Sequence, residues 1–523
     1  MPSIAPYGLW TSPLSSKEAS AGALRFGQLD TCTNCFYFTE SRPSEKGRCA
    51  LMKGGLFSLE EVLPSTFSVR TRVHEYGGKC FAGSHDTVYF VNYSDQTIYQ
   101  KKEGASPTLL LQQPKTYYAD LFLTKTYLYA VAEDHSQGSI QTSLVRIDLK
   151  TGHVITLAYG CDFYAAPRVN DKETQIAFLT WNFPYMPWDS TRLWVADLTQ
   201  EGLSSPLCIA GGNKESITHP LWHQETLYFT SDRTGFWNIY LHKQNTPLEA
   251  LHPTSIDFGA AHWIFGSERL ATTQDDHLLA IGTENGVDAL YRFHLITRKM
   301  TKLETPFTSL SDLYFFQGHA LFFASAADLP TSLVAWDLKK STYTFLKNSQ
   351  KHTLPSTCLS YPQRITFPTK DNQMAYGLYY PPQNSDYQPL KNSLPPLILK
   401  CHGGPTHHAA IKYNPDILFF TSRGFAFFEI NYRGSTGFGK AYRDLLKLQW
   451  GIADRDDCLY AVDYLIKNRL ADPDHLFLKG SSSGGYSVFS VLIHSPAFQG
   501  AVSYYGISDL EDLVKNSHKL EKH

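Results

Sequence analysis

Seven stretches of the chain repeat one design: a short β-rich run, a turn, and a second run with an aromatic or aliphatic core. They begin at Cys35, Thr87, Tyr127, Gln175, Thr226, Leu278 and Ala320, roughly 40 to 50 residues apart. "TVYFVNYSDQTIYQKK" from Thr87 and "TLYFTSDRTGFWNIYLHK" from Thr226 are examples. Strand pairs recurring at this period mark a β-propeller, whose four-stranded blades bury their faces only against neighbouring blades. The spacing predicts a seven-bladed propeller with each hairpin forming the inner part of a blade. Two packed β-sandwiches would not produce seven units at one spacing. Aromatic residues make up 14% of the chain, which fits a large β component.

The repeat stops near Ser341, and the pattern changes. "RITFPTKDNQMAYGLYYPP" (364–382) reads as a further hairpin, followed by a Pro-, Asn- and Ser-rich loop. Then short apolar strands alternate with helical periods. "LILKC" runs into "HGGP", "GFAFFEINY" into "RGSTGFG", and "HLFLKG" into "SSSGGYSVFSVLIH". In "DRDDCLYAVDYLIKN", Leu459, Val462, Leu465 and Ile466 share one helical face, with acidic residues in the first turn. "GAVSYYG" (500–506) reads as a fourth strand. Strands alternating with helices predict a parallel sheet in an α/β domain.

"GSSSGG" (480–485) contains Gly-x-Ser-x-Gly between an apolar strand and a helical run. That context is a nucleophile elbow, a sharp strand-to-helix turn that exposes one serine. Gly480 and Gly484 permit the close approach, and Ser482 stands at the centre of the spacing. Acyl transfer also needs donors for the oxyanion. The backbone N–H of Ser483 is one candidate, and that of Gly404 in "HGGP" is the other. His402, His407 and His408 read as loop histidines, because no carboxylates stand near them in the sequence.

With these residues in view, the chain resembles the prolyl oligopeptidase family of serine peptidases, in the branch with acylaminoacyl-peptidases and dipeptidyl-peptidase-like enzymes. The matching stretches are "HGGPT", "NYRGSTGFGKAYRD", "WGIADRDDC", "GSSSGGY" and "SYYGISDL", with "VRTRVHEYGG", "PRVN", "WNFPYMPWDSTRLWVADL" and "SDRTGFWNIY" in the propeller part. The resemblance implies a propeller over residues 1–350, with an N-terminal extension, that screens an α/β-hydrolase domain over 351–523. It implies Ser482 as nucleophile with Gly404 and Ser483 as oxyanion donors. The implied activity is hydrolysis of short peptides, N-acylated ones among them.

The family's order is Ser, then Asp, then His, on loops after later strands. Ser482 is residue 482 of 523, so 41 residues follow it, too few for two further strand-and-helix units of roughly 30 residues each. The hydrolase domain is therefore expected to be incomplete at its C-terminal end. Asp509 and Asp512 come too early for the acid, and His494, His518 and His523 are not read as the base. Two alternatives stay open: an inactive remnant whose propeller binds ligands, and an esterase on the same fold. Glu75 in "HEYGG" is the candidate for holding a free peptide N-terminus. "HEYGG" and "WNFPYMPWD" read equally as substrate-facing loops or as turns packed between blades.

The formal charge of −2 gives no reason to expect nucleic acid or an anionic membrane as partner. No secretory leader or membrane-spanning run is visible, and the scattered cysteines, odd in number, make a reducing cytoplasm the expected location. Nine cysteines are scattered through the chain, and Cys32 and Cys35 read as two unrelated thiols. No metal or cofactor is expected. The expected partners are a short peptide substrate and either a second copy of the chain or a complementing C-terminal fragment.

Overall fold

The computed structural model describes residues 2–212, 214–350 and 354–522. Seven four-stranded antiparallel sheets cover residues 25–61, 81–111, 116–159, 163–211, 217–250, 270–303 and 309–348, and are called blades 1 to 7. Each is built from one continuous stretch of chain, so the ring shares no strand between its ends. It closes by packing instead. Leu29, Phe36 and Phe38 of blade 1 form one cluster with Phe316, Leu321 and Phe323 of blade 7.

The repeats seen in the sequence are the second and third strands of each blade, not its inner part. The first strands touch one another around the ring and line the axis. The difference is physical. Middle strands are covered on both faces by neighbouring blades, so they read as apolar runs; Thr87–Val91 is buried throughout. The first strands are bulged in blades 1, 3, 4, 5 and 7 and carry polar side chains toward the axis. Asp30, Lys79, Asp120, Arg168, His219, Glu268 and Tyr314 come from seven successive positions around the ring. Arg168 pairs with Glu268 and lies 3.6 Å from Asp120, and Lys79 Nζ lies 3.1 Å from the Tyr314 hydroxyl. These groups line the axis, and Asp120, Arg168, His219 and Glu268 border a pocket there.

Cys32 and Cys35 are not unrelated thiols. They form a disulfide across the first hairpin turn of blade 1, where their Cα atoms lie 5.3 Å apart.

The second domain is a six-stranded sheet: β1 (Gln363–Pro368), β2 (Met374–Tyr380), β3 (Leu397–Cys401), β4 (Ala426–Asn431), β5 (Leu476–Ser481) and β6 (Gly500–Tyr504). Their order is β1-β2-β4-β3-β5-β6; β1, β2 and β4 pair antiparallel and the remaining pairs are parallel. The helices are α1 (Pro415–Thr421), α2 (Gly439–Asp444), α3 (Ala453–Lys467), α4 (Ser483–His494) and α5 (Leu510–Asn516). Leu397, Leu399, Phe428, Ile430, Leu476 and Leu478 of the central strands pack with Cys458, Ala461 and Leu465 of α3 and Val488 and Val491 of α4. The expected division between residues 350 and 351 falls beside residues 351–353, which lie outside the described set. Residues 3–4 pair with 387–388, and Trp10 stacks on Tyr387, so the N-terminal stretch packs on the second domain.

Chain order fixes where a site can form. After β3 the chain crosses to β4 on one side, then returns to β5 on the other. Loops leaving the C-terminal ends of β3 and β5 diverge there and leave a crevice, the usual ligand position in an open α/β sheet. "HGGP" leaves β3, and Ser482 leaves β5.

Candidate active site

Ser482 joins β5 to α4 with φ 53° and ψ −123°, a backbone conformation costly for any residue but glycine. The surroundings hold it there. Its N–H donates to the Tyr504 carbonyl at 3.0 Å, and its carbonyl accepts from the Gly485 N–H at 2.9 Å. The flanking glycines are steric requirements. A Cβ on Gly480 would lie 2.2 Å from the Gly484 carbonyl oxygen, and one on Gly484 would lie 2.4 Å from that of Cys401. A Cβ on Gly485 would lie 2.5 Å from Gly506 Cα. Helix α4 is thus pressed against the ends of β3 and β6, and the serine is the residue left protruding.

The β3 loop lies against this elbow. A Cβ on Gly403 would sit 3.6 Å from Ser482 Cβ, so the peptide leading to Gly404 runs beside the serine. Gly404 has φ +128°, and the Gly404–Pro405 bond is cis. Among the described residues the Gly404 N–H meets no acceptor. Ser483 is the first residue of α4, where a helix leaves its N–H groups without internal partners. Two N–H groups with no helical or loop acceptor therefore flank the Ser482 side chain.

His402 anchors the loop. Its Nδ1 bonds the Gly403 carbonyl at 2.8 Å and its Nε2 the Ser435 hydroxyl at 2.8 Å, while the ring stacks on Tyr432 at 4.2 Å. Burial pushes its pKa down to about 3, so the ring is neutral, with both nitrogens engaged. Two carboxylates from the acidic start of the "DRDD" helix are fully buried. Asp454 accepts from the Gly451 N–H at 2.7 Å and from the Ser487 hydroxyl. Asp457 accepts from the Arg433 N–H at 2.7 Å, from Arg433 Nε at 2.9 Å and from Thr369 Oγ1 at 2.6 Å. Burial raises both above the usual carboxylate range. They clamp α3 to the helix carrying the elbow and to the loop after β4. The inward stripe of α3 is therefore Asp454, Asp457, Cys458, Ala461, Val462 and Leu465, turned slightly from the expected face.

The family model described as the prolyl oligopeptidase family matches residues 412–522. The structure of a puromycin-hydrolysing peptidase of Mycobacterium tuberculosis superposes with a TM-score of 0.95 at 30% identity, over 99% of this chain and 83% of that one. The chain belongs to the prolyl oligopeptidase family. A puromycin hydrolase structure gives a TM-score of 0.94 at 25% identity, again over 99% and 83%. Dipeptidyl aminopeptidase BIII of Pseudoxanthomonas mexicana is 30% identical over 193 residues, 36% of this chain and 28% of that protein. The acylamino-acid-releasing enzyme of Arabidopsis thaliana is 33% identical over 120 residues, 23% of this chain and 16% of its own length. The chain thus matches well under a third of the length of these two curated relatives. Its propeller and α/β-hydrolase domain have the architecture of the two solved structures, and its kinship is with serine-type peptidases.

Within this prolyl oligopeptidase framework, the remaining acids and histidines considered from the sequence make their hydrogen bonds and ring contacts elsewhere. Asp509 caps α5, accepting from the Glu511 and Asp512 N–H groups at 2.8 and 3.1 Å. Asp512 is bound to Asn516. His494, at the far end of α4, contacts Arg455 Nη1 at 3.1 Å. His518 packs on Tyr76 of the propeller, and His523 lies outside the described residues. Among the described residues no imidazole hydrogen-bonds Ser482 Oγ. On the propeller side, Trp263 donates to the Thr406 carbonyl at 2.9 Å and packs 4.4 Å from Trp188 of the "WNFPYMPWD" stretch. In "HEYGG", His74 is buried, while Glu75 and Tyr76 are exposed.

Proposed function

We propose that the chain carries the nucleophile and oxyanion hole of a serine peptidase acting on short peptides, N-acylated ones included. Ser482 Oγ attacks the scissile carbonyl carbon, and its proton passes to a base. The N–H groups of Gly404 and Ser483 receive the developing oxyanion. Collapse expels the amine, which takes up the proton, and water then hydrolyses the acyl-serine. The observation that carries this reading is Ser482 held at φ 53° on a strand-to-helix turn, beside a glycine loop with a free N–H.

The base and its carboxylate would come from a polypeptide segment that extends the sheet at β6. Two observations support this. The M. tuberculosis structure is matched over 83% of its length, so about a sixth of it has no counterpart here. The face that such a segment would cover is apolar and exposed: Phe489, Leu492 and Ile493 on α4, and Val502, Tyr504 and Tyr505 at β6. The absence of an imidazole at Ser482 among the described residues favours the second reading, in which the chain by itself binds peptides without cleaving them.

Fluorogenic aminoacyl and N-acyl-aminoacyl arylamides test the proposal against Ser482→Ala. With the segment that supplies the base present, we expect amide turnover that falls by about three orders of magnitude or more in the variant. Turnover of simple esters without amides would replace the peptidase reading with an esterase. No turnover of either by folded protein would leave the binding reading.

A further inference from the structure

Helix α5 buries none of its residues, and a helix of seven residues does not persist in water by itself. The segment after it explains its order. Lys519 Nζ donates to the Asp162 carbonyl at 2.7 Å, to Thr142 Oγ1 at 2.9 Å and to the Ile140 carbonyl at 3.1 Å, and lies 5.0 Å from the centroid of the Phe163 ring. Leu520 is 1% exposed, inside the propeller cluster that holds Tyr129, Phe163 and Trp181. Glu521 accepts from the Tyr76 hydroxyl at 2.5 Å, and His518 lies edge-on to the Tyr76 ring. Three oxygens and an aromatic face around one ammonium, with an apolar slot beside them, make a receptor for a basic–aliphatic–acidic peptide.

The receptor's place on the ring gives it a consequence. The chain passes between domains at residues 24 and 349, where the Leu24 N–H bonds the Ser349 carbonyl at 3.1 Å beside blades 1 and 7. The body of the second domain bonds blades 4 to 7 and their connections. Arg443 pairs with Asp232 at 2.5 Å and Lys447 with Asp189 at 2.8 Å. The N–H groups of Gly439 and Lys440 bond Asp257 Oδ2 at 3.1 Å and the Gly235 carbonyl at 2.7 Å. Among the described residues, every hydrogen bond from the second domain to blades 2 and 3 or to "HEYGG" comes from Lys519 or Glu521. Blades 3 and 4 are opposite the crossing at 7 and 1 in a ring of seven.

We propose that blades 3 and 4, with Tyr76 from the connection between blades 1 and 2, form a receptor pocket for a primary ammonium followed by a leucine-type side chain and a carboxylate, and that residues 518–521 fill it as a latch holding the domains closed opposite their covalent crossing. The latch does not depend on the chemistry of Ser482, so failure of one proposal leaves the other standing.

Hydrogen exchange on the 523-residue chain tests it, comparing Lys519→Ala/Leu520→Ala with wild type and with Lys515→Ala on the exposed face of α5. The amides of Gly439 and Lys440 are informative because they are bonded across the domain boundary at blade 5 and its connection to blade 6, outside the latch itself. In the double variant we expect amides 511–517, and those of Gly439 and Lys440, to exchange at least tenfold faster; Lys515→Ala should match wild type. A second pair on the propeller side, Tyr76→Phe/Thr142→Val, should move the same amides in the same direction, which separates release from misfolding of one variant. Faster exchange at 511–517 with no change at Gly439 and Lys440 would overturn the latch, as would no change at either or an equal rise in Lys515→Ala.

Discussion

At the scale of single residues, the site depends on glycines that the packing cannot replace. A methyl group at Gly484 would lie 2.4 Å from the Cys401 carbonyl oxygen, in backbone that has no side chain to yield. Gly484→Ala should therefore lower stability by about 3 kcal/mol, read as a fall in the urea midpoint at unchanged slope. His402 offers a test by pH. Its native pKa of about 3 lies below the ordinary value of 6.5, so the unfolded chain binds the proton first. The stabilisation is complete above pH 6.5 and is lost as pH falls toward 3. The stability gap between wild type and His402→Gln should shrink over that window, by up to about 1.4 kcal/mol per pH unit. A gap independent of pH would mean that the ring is not held neutral. Ser482 was legible because the elbow's steric needs are written in glycine. Asp454 and Asp457 were not, because an acidic first turn looks the same in sequence whether it meets water or, as here, Gly451, Ser487, Arg433 and Thr369.

At the scale of elements, α3 and the sheet edges carry the argument. Asp454→Ala would leave the Gly451 N–H buried without its acceptor and the Ser487 hydroxyl with only the Ser483 carbonyl at 3.3 Å, a loss of about 1–3 kcal/mol by calorimetry or urea titration. The two edges of the sheet differ in kind. Strand β1 presents Gln363, Arg364 and Thr366 and ends in Pro368, features that discourage pairing. Strand β6 presents Val502 and Tyr504, 47% and 46% exposed, beside Ile493 at 80%. An uncovered edge of that kind pairs with whatever strand is available. Val502→Lys should reduce self-association in sedimentation while leaving the unfolding free energy from urea titration within about 0.5 kcal/mol of wild type. The strand-and-helix alternation was readable from apolar runs. The order of the sheet was not, because it depends on which side of β3 each crossover takes.

At the scale of the whole molecule, the seven-fold repeat was visible because the second strand of every blade is largely buried and apolar and a third strand follows it after a short connection. The first strands escaped notice because they are short or bulged and carry Asp120, Arg168 and His219 into the axis. Nor could a sequence reveal that the last described residues return to the propeller, since the Lys519 pocket is made from the Ile140 and Asp162 carbonyls, which carry no sequence signal. The central claim is that this scaffold presents Ser482 as a nucleophile between two oxyanion donors. Its most direct test is reaction of the purified chain with a fluorophosphonate, followed by peptide mass mapping, with Ser482→Ala as control. A single phosphonyl adduct is expected on Ser482, absent from the variant, with Ser481 and Ser483 unmodified. A folded chain that takes up no label at Ser482, or takes it up on a neighbouring serine, would contradict the account.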